Sequence, residues 1–202
     1  MNKPIIAVDV DDVLASVNQA MMQFVNEHFG TTHTWEDYTV AGPYRRYWEE
    51  VVWKVGPEEG RKRYDAFIER GGQRGAPMLD GAIDVLETLK QTHDLIVITA
   101  RDHDYIEDTH HWLSKNCPGT FDDIHFLPYH EGSDKKVAKG VIAKQIGASY
   151  LIDDNVEHCL GAQENGVTAL LFGDYGWNQA APNSLTRVKD WQAVKEYFDG
   201  RS

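Results

Sequence analysis

The stretch Ile5-Ile6-Ala7-Val8-Asp9-Val10-Asp11-Asp12-Val13-Leu14 constrains the fold more than any other part of the chain. Four small or branched apolar residues in succession read as a strand buried on both faces, the kind found in a parallel sheet. The run ends abruptly in acid, and the C-terminal ends of parallel strands are where open α/β sheets hold ligands. If the chain stays extended, Asp9 and Asp11 point to one side and Val10 to the other, because side chains alternate with a period of two. Two like charges that close repel each other unless a cation or a shared proton intervenes. Aspartate is also common in turns, so this stretch alone admits an ordinary acidic turn. The rest of the chain decides between the two.

The length, composition and charge of the whole chain set the frame. Its 202 residues suit one domain with an insert, or two small domains. Hydrophobic content of 42% and charged content of 26% are ordinary for a folded chain. The net charge of −12 repels nucleic-acid phosphates and anionic membranes, so neither is expected as a partner. A small anionic substrate stays compatible with it, since a bound metal reverses the local field. Cys117 and Cys159 form no Cys-x-x-Cys pattern and predict reduced thiols in a cytoplasmic protein rather than a zinc or redox site. No apolar run approaches a transmembrane length, and with the first strand so near the N-terminus no signal peptide is expected.

In chain order, Ser16 is placed to cap a helix running to about Phe29, with Val17, Ala20, Met21, Phe24 and Val25 at helical spacing and Gly30 ending it. An aromatic-rich stretch follows: Trp35, Tyr38, Tyr44, Tyr47, Trp48, Trp53. Pro43 and Pro57, read as first-turn prolines, predict helices over 43–55 and 57–70. Gly71, Gly72, Gly75 and Pro77 form a breaker cluster. About sixty helical residues therefore separate the first strand from the second, too many for a simple crossover. This predicts a helical cap at 16–75 inserted in a core made of 1–15 and 76–202. Within that core, strands at 95–98, 124–127, 150–152 and 168–172 alternate with helices near 80–89, 104–115, 136–146, 156–164 and 189–198, the pattern of a doubly wound parallel α/β sheet.

Four of the strand ends carry polar residues: Asp9 and Asp11, Thr99, the 124–127 strand with His130 beyond it, and Asp153 with Asp154. All C-terminal ends of a parallel sheet lie along one edge, so these distant residues converge. Four carboxylates in one cleft need a counter-charge. A hard divalent cation with oxygen ligands, Mg²⁺ first, supplies it. A lysine is the other candidate, and Lys135, Lys136, Lys139 and Lys144 lie just before the 150–152 strand.

With these residues in view, the chain resembles the haloacid dehalogenase-like phosphohydrolases. Asp9-Val10-Asp11-Asp12-Val13 is similar to the first motif of that superfamily, Asp-x-Asp-x-(Thr/Val), and Ile98-Thr99-Ala100-Arg101 to the second. Lys139-Gly140 and the segment from Gly147 to Asp154 resemble the third and fourth. The position and size of the helical insert are similar to those of the 5′(3′)-deoxyribonucleotidase branch. The resemblance implies a Rossmann-like core and a small helical cap after the first strand. It also implies a Mg²⁺-dependent phosphatase that works through an aspartyl-phosphate. Asp9 would be the nucleophile, Asp11 the general acid and base, and Thr99 a hydrogen-bond donor to the phosphoryl group. Lys139 would neutralise charge, with Lys135 and Lys136 as alternatives. Asp9, the Asp11 carbonyl and Asp154 would hold the metal, with Asp153 behind them.

Other residues keep two readings. Arg101 contacts phosphate or forms a structural ion pair. Asp12 stabilises the turn after the first strand. His103, His110, His111 and His158 read as surface histidines, and no catalytic role is expected of His130. The cap aromatics serve as a small helical core or as a stacking surface for a planar base. The expected activity is hydrolysis of a small phosphate monoester, best a deoxyribonucleoside monophosphate, by a cytoplasmic enzyme for which a homodimer is compatible. The alternatives are a phosphatase for a sugar phosphate or a polynucleotide 3′-phosphate, the latter drawing on the basic strip Arg45, Arg46, Lys54, Arg61, Lys62 and Arg63, and a non-catalytic binding protein of the same fold.

Overall fold

The computed structural model describes residues 3–128 and 137–200. Six strands, β1 (Ile5–Val8), β2 (Asp94–Thr99), β3 (Asp123–Phe126), β4 (Ala148–Asp153), β5 (Thr168–Phe172) and β6 (Thr186–Val188), form one sheet in the order β3-β2-β1-β4-β5-β6. Every pairing is parallel. The chain runs outward from β1 to β3 and then returns to the other side of β1, so the order reverses between β1 and β4. That reversal opens a crevice at the C-terminal edge, the place where such sheets bind ligands.

Alternation along the strands gives the sheet two apolar faces. Ile6, Val8, Ile152 and Leu170 pack on one side with α4 (Ala82–Lys90), α5 (Ile106–Asn116) and α8 (Trp191–Asp199). Ala7, Leu151 and Leu171 pack on the other with α6 (Lys139–Gln145) and α7 (Val156–Glu164). The sheet is therefore doubly wound, as the alternating pattern predicts. β6 was not expected. It is a three-residue edge strand, Thr-Arg-Val, of which only Val188 is buried, so it leaves no apolar run to read.

Between β1 and α4 lie α1 (Val17–Phe29), a 3₁₀ turn (Trp35–Thr39), a π-helical turn (Trp48–Trp53), α2 (Pro57–Glu69) and the one-turn α3 (Gly72–Gly75). Pro57 starts α2, but the helix expected over 43–55 is reduced to the π turn at Trp48–Trp53. Arg46 and Lys54 both take left-handed backbone angles, φ +60° and +53°, which interrupt an α-helical path on either side of the π turn. The aromatic spacing there reflects packing instead: Trp48 stacks on Trp53, and Tyr47 is buried against Trp177. Ser16 does not cap α1, because its hydroxyl donates to Gln19 Oε1. The Asp12 carboxylate takes that place, accepting the Asn18 N–H at 3.0 Å.

The insert leaves and rejoins the sheet at one point. The Ser16 N–H donates to the Pro77 carbonyl and the Leu79 N–H to the Leu14 carbonyl, both at 2.8 Å, with Ala15 and Met78 paired antiparallel between them. Two buried indoles pin this stalk: Trp191 Nε1 donates to the Val13 carbonyl and Trp112 Nε1 to the Ala76 carbonyl, both at 2.7 Å. Insert side chains Met21, Val25, Tyr38 and Phe67 share one continuous apolar core with the sheet. Among the described residues, no helix is long and apolar enough to cross a membrane.

Candidate active site

The polar strand ends meet at the crevice. Asp9 continues β1, its N–H donating to the Ile152 carbonyl at 3.0 Å, so it emerges beside the end of β4. Asp9, Asp153 and Asp154 are all buried, and one carboxylate oxygen from each lies within 4.8 Å of the others. Lys139, at the first turn of α6, reaches in with a fully buried side chain. Its Nζ is 2.8 Å from Asp9 Oδ1 and 2.6 Å from Asp153 Oδ2. Its access depends on the next residue. A Cβ on Gly140 would stand 2.3 Å from the Gly161 carbonyl oxygen on α7, so only glycine lets α6 lie this close.

The adjacent aspartates of β4 differ in their partners. Asp153 accepts the Asn155 N–H at 2.9 Å and faces His158 Nδ1 at 3.2 Å as well as Lys139. Asp154 accepts the Trp177 indole N–H at 2.6 Å, and its carbonyl accepts from Asn178 Nδ2. Asp11 stands outside the carboxylate cluster. Arg101 grips it, with Nη2 2.6 Å and Nε 3.0 Å from Oδ1 and Nε 3.2 Å from Oδ2. The Arg101 N–H donates to Oγ1 of Thr99, the fully buried end of β2. Asp12, in the left-handed region at φ +56°, turns the chain. Its carboxylate binds Asn18, whose amide oxygen in turn accepts the Trp48 indole N–H.

Five carboxylates thus face two cations, and the protonation equilibria record the shortfall. Burial raises the Asp9 pKa to about 6, opposed by Lys139 and aided by Asp153. Burial takes Asp12 to about 7 despite the Asn18 hydrogen bonds. Asp154 is pushed well above the carboxylate range by burial and then by the charges of Asp153 and Asp9. Asp153 is equally buried, but Lys139 and then His158 hold it below that range. Lys139 is raised, because its two aspartate partners outweigh its own burial. Three buried oxygen donors with excess negative charge fit a hard divalent cation.

Above the cluster is a cavity of about 490 Å³, whose insert side includes Asn18, Tyr44, Trp48, Tyr64 and Gln73. Trp48 stacks on Tyr64 at 5.6 Å. Tyr44 is 52% exposed, yet its hydroxyl hydrogen-bonds with Asn155 beside Asp154 and Asp9. Burial and those two charges push its pKa well up. Sequence reasoning did not single out Trp177, Asn155 or Asn18 for the site. Nothing in local spacing marks them, since each matters through a loop that meets another loop. His158 is a correction: expected on the surface, it sits in the first turn of α7 and turns back to Asp153 and the cavity. His103, His110, His111 and Lys144 are exposed. His130, Lys135 and Lys136 lie outside the described residues, and Lys139 is the lysine that pairs with Asp9 among the described ones.

Comparison with known proteins agrees with this architecture. The family model described as 5′ nucleotidase, deoxy (pyrimidine), cytosolic type C protein matches residues 3–199. A 5′(3′)-deoxyribonucleotidase from Clostridium acetobutylicum is 24% identical over 196 residues, covering 96% of this chain and 94% of that protein. A nucleotidase from the same organism is 23% identical over 195 residues, covering 96% and 93%. Among solved structures, a haloacid dehalogenase-like hydrolase from Streptococcus pneumoniae superposes with a TM-score of 0.63 at 17% identity, over 97% of this chain and 98% of that one. A hydrolase of the same superfamily from Bacillus subtilis, solved bound to magnesium, gives 0.57 at 16%, over 98% and 100%. The structural matches establish the fold, and the family match extends over nearly the whole chain. This chain has the fold of haloacid dehalogenase-like hydrolases, belongs to the 5′ nucleotidase, deoxy (pyrimidine), cytosolic type C family, and is a phosphoric monoester hydrolase.

Proposed function

We propose that this protein is a 5′(3′)-deoxyribonucleotidase that hydrolyses deoxyribonucleoside monophosphates through an aspartyl-phosphate on Asp9. The observation that carries the reading is the Lys139–Asp9 ion pair at the sheet's reversal point, beneath a cavity walled by aromatic residues of the insert. The name of the Clostridium acetobutylicum relative supports the substrate class. In this reading the Asp9 carboxylate attacks phosphorus in line with the departing oxygen. Asp11 gives that oxygen its proton and later takes one from the attacking water. Thr99 donates to a phosphoryl oxygen, and Lys139 offsets the negative charge gathered on Asp9 and the phosphoryl group. Mg²⁺, held by Asp9, Asp154 and the Asp11 carbonyl with Asp153 behind them, would supply Lewis-acid polarisation of the phosphoryl group. Residues 16–75 act as the cap over a core of 1–15 and 76–202. They exclude water and present Trp48, Tyr64 and Tyr44 toward the base and sugar.

The test is a panel of deoxyribonucleoside 5′- and 3′-monophosphates, ribonucleotides and sugar phosphates, assayed for phosphate release with Mg²⁺. Deoxyribonucleotides are expected to turn over fastest. Inactivity across the panel would overturn the reading. Asp9→Asn is expected to abolish turnover while leaving the circular dichroism spectrum unchanged, and retained turnover would remove Asp9 as nucleophile.

A further inference from the structure

We propose that Arg101 is a positioning residue: it holds the Asp11 carboxyl in the direction from which it serves the leaving oxygen. The proposal rests on the phosphatase reading above and deepens it.

The two aspartates of the first motif are secured by different cations. Lys139 reaches Asp9 from α6, and Arg101 reaches Asp11 from the segment after β2. Asp11 lines the cavity with its side chain 32% exposed, so nothing else described fixes a carboxyl there against rotation. Arg101 supplies that constraint. Its Nε and Nη2 both reach the carboxylate, a two-pronged grip that sets the plane of the group as well as its position. The guanidinium is itself anchored. Its side chain is fully buried, Nη1 lies 3.3 Å from Thr109 Oγ1 on α5, and Thr109 is held by the Tyr105 carbonyl at 2.8 Å. Its backbone N–H is tied to Thr99, so the residue that addresses the phosphoryl group and the residue that aims Asp11 share one rigid strand end. A buried arginine paired with a partly exposed aspartate is poorly explained as a stability device, since the desolvation of the guanidinium works against it.

If Arg101 acts through Asp11, its loss hurts most where the leaving group needs a proton. The experiment compares wild type, Arg101→Gln, Arg101→Lys and Thr109→Val on dUMP, whose sugar oxygen leaves as a poor alkoxide, and on 4-nitrophenyl phosphate, whose phenolate leaves without one. Arg101→Gln is expected to lower kcat/KM on dUMP, which reports transfer to Asp9 and not the later attack of water common to both substrates, about 100-fold or more, the lower range for general acid–base catalysis, and kcat/KM on the aryl phosphate by less than about threefold. Arg101→Lys restores part of the dUMP rate, and Thr109→Val shows the same selectivity in weaker form. In an Asp11→Asn background, Arg101→Gln adds no further loss on dUMP, since residues acting as one unit are not additive. Equal losses in kcat/KM on both substrates, or additive losses in the double variant, would overturn the proposal. They would assign Arg101 to the phosphoryl group or to the fold alone. If Arg101→Gln does not fold, Thr109→Val, which leaves the pair itself in place, carries the same comparison. A wild type active on 4-nitrophenyl phosphate but not on dUMP would count against the nucleotide reading, and phenyl phosphate then replaces dUMP as the poor leaving group in the same comparison.

Discussion

Asp153 and Asp154 are neighbours in sequence with opposite surroundings. Asp153 has Lys139 and His158 within ion-pair distance, whereas the Asp154 carboxylate receives a neutral donor, the indole N–H of Trp177. Buried beside other acids, Asp154 gains most from a cation. Trp177 is therefore expected to set its orientation, and with it the metal affinity. It is braced by stacking on Tyr175 at 4.5 Å and by edge contact with Tyr47 of the insert. Trp177→Phe keeps the ring packing and removes the donor. It should weaken Mg²⁺ binding about 10- to 100-fold, the usual effect of losing a partner behind a metal ligand, as read by calorimetric titration. Unchanged affinity would show that Asp154 needs no such brace. The sequence could not separate the two aspartates by their partners, because the residue that distinguishes them lies on a loop that follows β5.

At the scale of elements, the close contact of α6 and α7 decides where Lys139 stands. Gly140→Ala must push the helices apart, because the added methyl meets the Gly161 backbone rather than a movable side chain. It is expected to lower stability by about 1–3 kcal/mol in denaturant unfolding, the range for overpacking. Turnover should fall beyond that, as Lys139 is drawn from Asp9. A variant with full stability and rate would refute the link between helix spacing and the ion pair. The elements themselves were largely legible. Buried parallel strands announce themselves as apolar runs, and most helix ends lay within a few residues of their glycines or caps. What failed was the aromatic stretch at 43–55, where no local rule foresees two left-handed residues, and β6, too short and polar to signal. The convergence of distant strand ends could be read because parallel topology forces it. The Arg101–Asp11 grip and the reach of Tyr44 depend on side-chain directions across loops, which spacing does not encode.

At the scale of the whole molecule, the surplus of acid ties stability to pH. Asp9 and Asp12 titrate at about 6 and about 7 in the folded protein, and Asp154 is raised further, against about 4 in an unfolded chain. The folded state therefore binds these protons more tightly. Their contribution to stability is fully present below about pH 4 and is lost as pH rises through 6 and 7. A bound divalent cation needs the ionised carboxylates, so it offsets that loss increasingly at higher pH. Thermal denaturation with and without Mg²⁺ should show a small gain in Tm at pH 5 and a larger one at pH 8. A gain independent of pH would indicate binding elsewhere. The stalk has a consequence of a different kind. Because residues 14–16 and 77–79 run side by side, strand order does not depend on what is spliced between them. One continuous segment can be exchanged by a single recombination event without rethreading the sheet, provided the replacement also covers the apolar face it shares. In the proposed reading, substrate choice can thus diverge by substitution of a cassette while the edge that carries the chemistry is kept.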